Sequence, residues 1–567
     1  MGEGPDLGDA ERLTSGGAAC EAGRERQAIL ALPSGLLVRA RFLGAGPPVV
    51  LLHESPRSSA AVLPLAERLA PRFACVCLDL PGFGLSDPMP MARPEAPDFA
   101  AVVLEAMAAL GLPRCPVYGS HTGAALAAAA AEMAPERVSA AVLDGYAAFT
   151  PGEQAELLAS YLPPFRPTLD GTHVAWLWAR VRDQVAAFPW NRVSDACRLP
   201  FGPPPLAALQ AVVEDFLLAG DRYRIGYAAA FRYDHLEPLR RACVPIRVAC
   251  REDDVLLAHM ERTRGVGAET TLHRLSADRD LWAGQLAALI AADAGEARTD
   301  AAALAEAADR LAGGRRMVET PAGAVAVRLD GPADGAPVVL LHDAPGGMAD
   351  QDGLAARLAR AGRRVVRANL PALGATRLAP GVAPTVEAMA GGVAAALRAV
   401  GAEGAPVVAQ GASFAVAARI GGRLLLLDPW PIVAEGVEEA IPDLAPRWDG
   451  THLTAAFWWA RDHELFKPWC ARDNATAREI GPERDAERIN HRFRAITLGG
   501  PVGAAATAAL YRAARETAAP AGTVALLHPG EPDFAALRDR SAAEGIAVRE
   551  APREPAGLAR AVLAALG

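Results

Sequence analysis

Short, continuous apolar runs recur along this chain, each ending at a polar or glycine-rich turn and most followed by a helix-forming stretch. Val49-Val50-Leu51-Leu52 ends at His53, and Ala74-Cys75-Val76-Cys77-Leu78 ends at Asp79-Leu80-Pro81-Gly82. Cys115-Pro116-Val117-Tyr118 leads into the turn Gly119-Ser120-His121-Thr122-Gly123 and an alanine-rich helix. Val138 to Leu143 ends at Asp144, and Val244 to Ala249 runs into an acidic turn, Arg251-Glu252-Asp253-Asp254. Unbroken apolar runs of this length mark strands buried on both faces. Their alternation with helices predicts an α/β fold with a doubly wound, mostly parallel sheet. Such sheets bind ligands beyond the carboxyl ends of their strands, where His53, Asp79, His121, Asp144 and Asp254 stand. The stretch from about 146 to 235 interrupts the alternation. It is rich in Trp, Arg, Phe and Pro, and predicts a helical cap.

The same pattern is written twice. Residues 33–56 (PSGLLVRARFLGAGPPVVLLHESP) correspond to 321–345 (PAGAVAVRLDGPADGAPVVLLHDAP). Residues 162–190 align without a gap to 441–469, and ten of these 29 positions are identical, among them Asp170/Asp449, His173/His452 and Arg182/Arg461. A period this long means tandem duplication, not a solenoid. The expected organisation is a first domain over 1–297 (cap about 146–235), a helical linker over 298–314, and a second domain over 315–567 (cap about 430–500).

Each copy resembles an α/β-hydrolase-fold domain with a helical cap. LLHESP after one strand, DLPGFGLSDP after the next, the 119–123 turn between strand and helix, and the acidic turn after a late strand carry the resemblance. It implies an enzyme acting on a carbonyl compound, with the central residue of the elbow facing the substrate at a helix N-terminus. The family usually places Ser, Asp or Cys there. The first copy has His121. The second is read as having Ser413, in Gly411-Ala412-Ser413-Phe414-Ala415. The histidine that the family places after its last strand is missing from both copies (274–282 and 549–555). Ser413 therefore has no base unless His528 or His452 supplies one. With DLPGFG also replaced by NLPALG (369–374), the second copy reads as degenerate.

Candidate chemistry then centres on the first copy. His121, oriented by Asp144 or Asp254, is a general base, and secondarily a covalent nucleophile. Backbone N–H groups of Thr122 and of Glu54 or its neighbour would face a developing oxyanion. His53 at its strand end either joins the chemistry or shapes the loop. His173 either reaches over the sheet or, being retained in both copies, serves structure, with Asp170 capping its helix. Trp176, Trp178 and Trp190 line a pocket or pack the cap. Arg182 and Asp183 are expected to form an internal ion pair. The reaction is hydrolysis of an ester, thioester or similar bond, or a lyase step on the same fold. The competing reading is a ligand-binding or scaffold protein without turnover.

Composition narrows the partners. The 57 Lys+Arg against 66 Asp+Glu, with no basic run, argue against nucleic acid. The eight cysteines are scattered with no C-x-x-C, so neither a metal site nor a redox pair is indicated, and reduced core thiols are expected. No G-x-G-x-x-G opens a helix after the first strand, and no cofactor is implied. The polar N-terminal stretch lacks an apolar core, and no run is long enough to span a bilayer, so a cytoplasmic protein acting on a small molecule is expected. The two copies could pair within one chain.

Overall fold

The structure, a computed structural model, describes residues 24–192, 194–200, 202–428, 437–479 and 485–567. Cys20 and the N-terminal stretch lie outside them. The seven described cysteines are all free thiols.

Two eight-stranded sheets form, one in each half. The first comprises β1 (Arg26–Ala31), β2 (Leu37–Leu43), β3 (Pro48–Leu52), β4 (Ala74–Leu78), β5 (Cys115–Ser120), β6 (Val138–Asp144), β7 (Ile246–Arg251) and β8 (Thr270–Leu275). Their spatial order is β1-β2-β4-β3-β5-β6-β7-β8. Strand β2 is antiparallel to both its neighbours, and the rest of the sheet is parallel. The second sheet repeats this with β9 (Arg315–Thr320), β10 (Gly323–Asp330), β11 (Pro337–Leu341), β12 (Arg364–Ala368), β13 (Val407–Gln410), β14 (Leu424–Leu427), β15 (Val524–Leu527) and β16 (Ala547–Glu550). Its order is β9-β10-β12-β11-β13-β14-β15-β16. The all-apolar pattern has the expected consequence. Every residue of β3 and β4 is buried, because helices cover both faces. Each such Val or Leu is worth about 1.5–3 kcal/mol of transfer free energy.

Helix α1 (Thr122–Met133) follows β5, and its run of alanines is buried from Ala124 to Ala131. Small side chains let this helix lie close to the sheet. Between β6 and β7 the chain inserts α2 (Pro151–Ser160), α3 (Thr172–Gln184), α4 (Leu206–Ala219) and α5 (Tyr223–Arg232). Helix α6 (Ala301–Arg310) leaves the first half and packs on β1, with Leu311 O accepting from Ala31 N–H at 2.9 Å. The second insertion, between β14 and β15, carries α7 (Thr451–Leu465) and α8 (Ala486–Glu516), running past the expected limit near 500. Helix α8 bends at Gly500 (φ 52°), before Pro501, where the first half ends α4 at Gly220 (φ 56°). The two halves meet along β1 and β9 through Ile29, Met317 and Ala326. No helix among the described residues is long and apolar enough to cross a membrane.

Candidate active site

Strand β5 delivers the chain to His121, whose backbone sits at φ 48°, ψ −106° before α1 begins. A non-glycine residue held there costs about 1–3 kcal/mol, which the surroundings must offset. They do so by contact. His121 N–H donates to Asp144 O at 2.9 Å. A Cβ on Gly119 would lie 2.1 Å from Gly123 O, and one on Gly123 would lie 2.5 Å from Leu52 O. Only glycine lets strand, turn and helix cross this closely. Gly145, also at positive φ, leaves room for the imidazole: a Cβ there would stand 2.3 Å from His121 Cδ2.

His121 Nε2 lies 2.9 Å from Asp254 Oδ2, and Asp254 Oδ1 accepts Leu256 N–H at 2.8 Å. Burial disfavours charge on the imidazole, but Asp254, with Glu54 and Asp144 behind it, outweighs burial and holds the ring up at about 9. Burial pushes Asp254 the other way, and the charge and hydrogen bond of His121 overcome it, so its carboxyl falls well below the usual range. His121 Nδ1 has no hydrogen-bond partner among the described residues. Asp144 does not touch the ring. It accepts from Tyr118 Oη and Trp282 Nε1, both at 3.0 Å, and burial with the nearby charge of Asp254 raises it to about 6. Of the two aspartates left open by the sequence, Asp254 is the partner. Trp282, in the segment where the family has its late histidine, serves the aspartate that is not.

A cavity of about 260 Å³ opens above this pair. Glu54, His121, Thr122 and Asp254 form its base, and Phe149, Tyr161, Phe188, Tyr227 and Phe231 from the insertion wall it. Glu54 turns toward Arg57, at 3.7 Å. Burial alone would raise its carboxyl, but Arg57 and His121 pull it down.

Several expected site residues lie elsewhere. His53 is fully buried and used on both sides: Nδ1 donates to Glu54 O at 2.8 Å, and Nε2 accepts Leu80 N–H at 3.0 Å. It ties two strand-end loops together, as His342 does in the second half through Asp343 O and Leu370 N–H. Trp176 packs against Phe165, Trp190 and Phe216 inside the insertion and does not line the cavity. His173 sits where the two halves touch. Its Nδ1 accepts Thr168 N–H at 3.1 Å, and its ring meets Phe457 edge-on at 5.5 Å. His452 mirrors it, accepting Arg447 N–H at 3.1 Å and meeting Trp178 at 5.2 Å. Gly171 faces Phe457, and Gly450 faces Trp178. Asp170 Oδ1 accepts Thr172 N–H at 3.0 Å, but the N-cap itself is Gly171, at φ 78°, so Asp170 braces the turn before the helix and does not cap it. Arg182 lies over Trp448 of the other half, at 4.6 Å, instead of pairing with Asp183.

The second half corrects the reading of Ser413. Leu52 pairs with Gly119 in the first sheet and Leu341 with Ala409 in the second, so Gly411, not Ser413, is the counterpart of His121. Gly411 indeed carries the positive φ (56°), while Ser413 has an ordinary helical φ of −63°. Ser413 is wholly buried, and its Oγ donates to Gln410 O at 2.8 Å. Neither His528 nor His452 bonds to it. The space above Gly411 is filled by Asp343, whose Oδ1 would be 2.1 Å from an added Cβ. That oxygen accepts Ala344 N–H at 2.8 Å and Ala412 N–H at 3.0 Å. The Asp343 carboxyl, which burial pushes up, is thus held by two backbone donors at the elbow. Their counterparts in the first half are Ser55 and Thr122. Asp428 and Asp533, the counterparts of Asp144 and Asp254, face Lys467 Nζ at 3.6 and 3.1 Å.

Three solved structures illustrate what the chain is similar to. An esterase from Exiguobacterium antarcticum is 17% identical, with a TM-score of 0.38 over 46% of this chain and 98% of its own. Epoxide hydrolase A from Mycobacterium thermoresistibile is 16% identical, with a TM-score of 0.37 over 47% and 97%. E-2-(acetamidomethylene)succinate hydrolase is 19% identical, with a TM-score of 0.37 over 48% and 99%. Residues 47–188, which hold β3, the elbow and the start of the insertion, match the alpha/beta hydrolase fold family. With one strand order written in both halves, the chain is a tandem protein of the α/β-hydrolase fold.

Proposed function

We propose that the first half hydrolyses a small apolar ester or thioester, with His121 as general base. The observation that carries this is the 2.9 Å contact of His121 Nε2 with Asp254 at the base of an aromatic-walled cavity, which leaves Nδ1 free. Nε2–H stays on Asp254 throughout. Nδ1 takes a proton from water as the water oxygen bonds to the carbonyl carbon. Ser55 and Thr122 N–H receive the oxyanion, as Ala344 and Ala412 N–H receive Asp343 Oδ1 in the second half. Nδ1–H then protonates the departing alkoxide or thiolate, and an acid and an alcohol or thiol leave. A base is a better fit than a covalent nucleophile because acyl-imidazoles are labile and Asp254 already orients the ring. The second half, with glycine at its elbow, supports the first without turnover. The two domains, 1–297 and 315–567 joined by 298–314, pair through the His173 and His452 turns.

The test is turnover of short- and medium-chain p-nitrophenyl esters and acyl-CoA thioesters between pH 5 and 10. Activity that rises with pH toward about 9 and is lost in His121→Ala supports the reading. Saturable binding of the panel without turnover would favour a binding protein instead.

A further inference from the structure

We propose that the second half is a binding site for a small molecule carrying a single carboxylate, which Arg492 and Lys467 receive beside the blocked elbow. The inference stands apart from turnover in the first half. A cavity of about 480 Å³ lies between the strand ends and the second insertion, larger than its counterpart in the first half. Asp343, Gly411, Lys467 and Arg492 all line it.

Arg492, on α8, is the key. The residue is 8% exposed, yet its guanidinium makes no hydrogen bond among the described residues. The nearest carboxylates, Asp350 and Glu464, are 3.6 and 3.7 Å away, too far for one. A guanidinium carries five donors, and leaving them unmet in a buried site is costly. Arg478, in the same cavity, is held by contrast through both terminal nitrogens, which donate to His463 O at 3.0 Å and to Glu531 at 2.7 Å, and only its Nε lacks a partner among the described residues. The replacement is local to this half. Counting back from the bend glycines Gly500 and Gly220, Arg492 stands where the first half has Val212; in the gapless alignment of 162–190 with 441–469, Lys467 stands where it has Phe188. An aromatic wall position of the first cavity, Phe188, and a core-packed valine, Val212, are thus matched by cations in the second half.

The sign and size of the ligand charge follow from the remaining lining. Six carboxylates, Asp343, Asp350, Asp428 and Glu464 among them, face the same cavity against five Lys and Arg side chains, so the lining offers no surplus of positive charge for a dianion. A phosphate dianion would meet those carboxylates, whereas one planar carboxylate matches the fork of Arg492.

The test uses the full-length chain and acetate, the smallest carboxylate, titrated calorimetrically at constant ionic strength. Acetamide and inorganic phosphate are the comparisons. The expected result is saturable acetate binding, at least tenfold tighter than either comparison, retained in His121→Ala and weakened tenfold or more in Arg492→Met. Arg492→Lys should keep part of it. If Arg492→Met does not melt as wild type does, Lys467→Met takes its place with the same expected loss. Absence of saturable acetate binding in wild type overturns the proposal. So does binding that Arg492→Met leaves unchanged, or binding that His121→Ala abolishes.

Discussion

Replacing Asp254 by Asn removes a charge and leaves the shape of the dyad. In wild type His121 is held up at about 9, chiefly because Asp254 stands 2.9 Å away and overcomes burial. At pH 7 a ring titrating two units higher is neutral in roughly one molecule in a hundred, so kcat/KM climbs about tenfold per unit of pH until the midpoint. In Asp254→Asn the principal charge opposing burial is gone, and the midpoint moves down toward the ordinary value of 6.5 or below it. The plateau drops as well, by about 10²–10⁴-fold, because orientation and the stabilisation of the imidazolium go with the charge. These effects partly cancel at neutral pH. At pH 7 the variant sits on its plateau while wild type is at about one hundredth of its own, so the loss there is only about 1–100-fold; near pH 9.5 it is the full loss. The assay is kcat/KM on the best ester of the panel from pH 5 to 10 for both proteins. A midpoint that is the same in both would refute the assignment of Asp254 as the group that sets the pKa of His121.

The same pair makes stability depend on pH. The raised pKa of His121 means that its contribution is full below about 6.5 and fades as pH rises through about 9. The depressed carboxyl of Asp254 means that its contribution is lost as pH falls below about 3.8. The Tm difference between wild type and His121→Gln should therefore be largest between about pH 4 and 6.5 and shrink by pH 10; a difference that grows with pH contradicts the ion pair. Gly145→Ala should cut turnover at least as much as Asp254→Asn, because its Cβ would stand 2.3 Å from the imidazole at a positive φ, and steady-state kinetics with a melting control decides this. Ser413→Ala should leave kcat/KM unchanged and cost about 0.5–1.5 kcal/mol in the second half, read from denaturant unfolding, since it removes one buried hydrogen bond. Gly450→Ala, whose Cβ would meet Trp178 at 2.5 Å, should loosen the contact between the halves and speed protease cleavage near 298–314; an unchanged cleavage rate counts against intramolecular pairing.

Much of this could be read from residues alone, and the parts that could not have physical reasons. The continuous apolar runs marked the strands because both faces of each sheet are covered, and strand ends then located His121, Asp144 and Asp254. The choice between the two aspartates depends on loop geometry at 251–256 and on Tyr118 and Trp282, which approach from elsewhere in the chain. Ser413 resembles an elbow residue in the sequence because the letters around it imitate the motif. Spacing carried the better signal: from His53 to His121 and from His342 to Gly411 the distances along the chain differ by a single residue. The seat of Asp343 at the second elbow had no sequence signature, since Glu54 at the same position turns away toward Arg57. His173 recurs because the contact between halves uses the same turn twice, a pairing that neither copy reveals by itself. Trp176 lies on a helix with tryptophans on more than one face, so its direction was not legible.

The most direct measurement of the central claim is turnover of the ester and thioester panel at pH 9 by wild type, His121→Ala and Ser413→Ala side by side. Hydrolysis by wild type and Ser413→Ala, with a loss of at least about 10³-fold in His121→Ala, is the predicted result. Equal rates in wild type and His121→Ala, or loss of activity in Ser413→Ala alone, would contradict it.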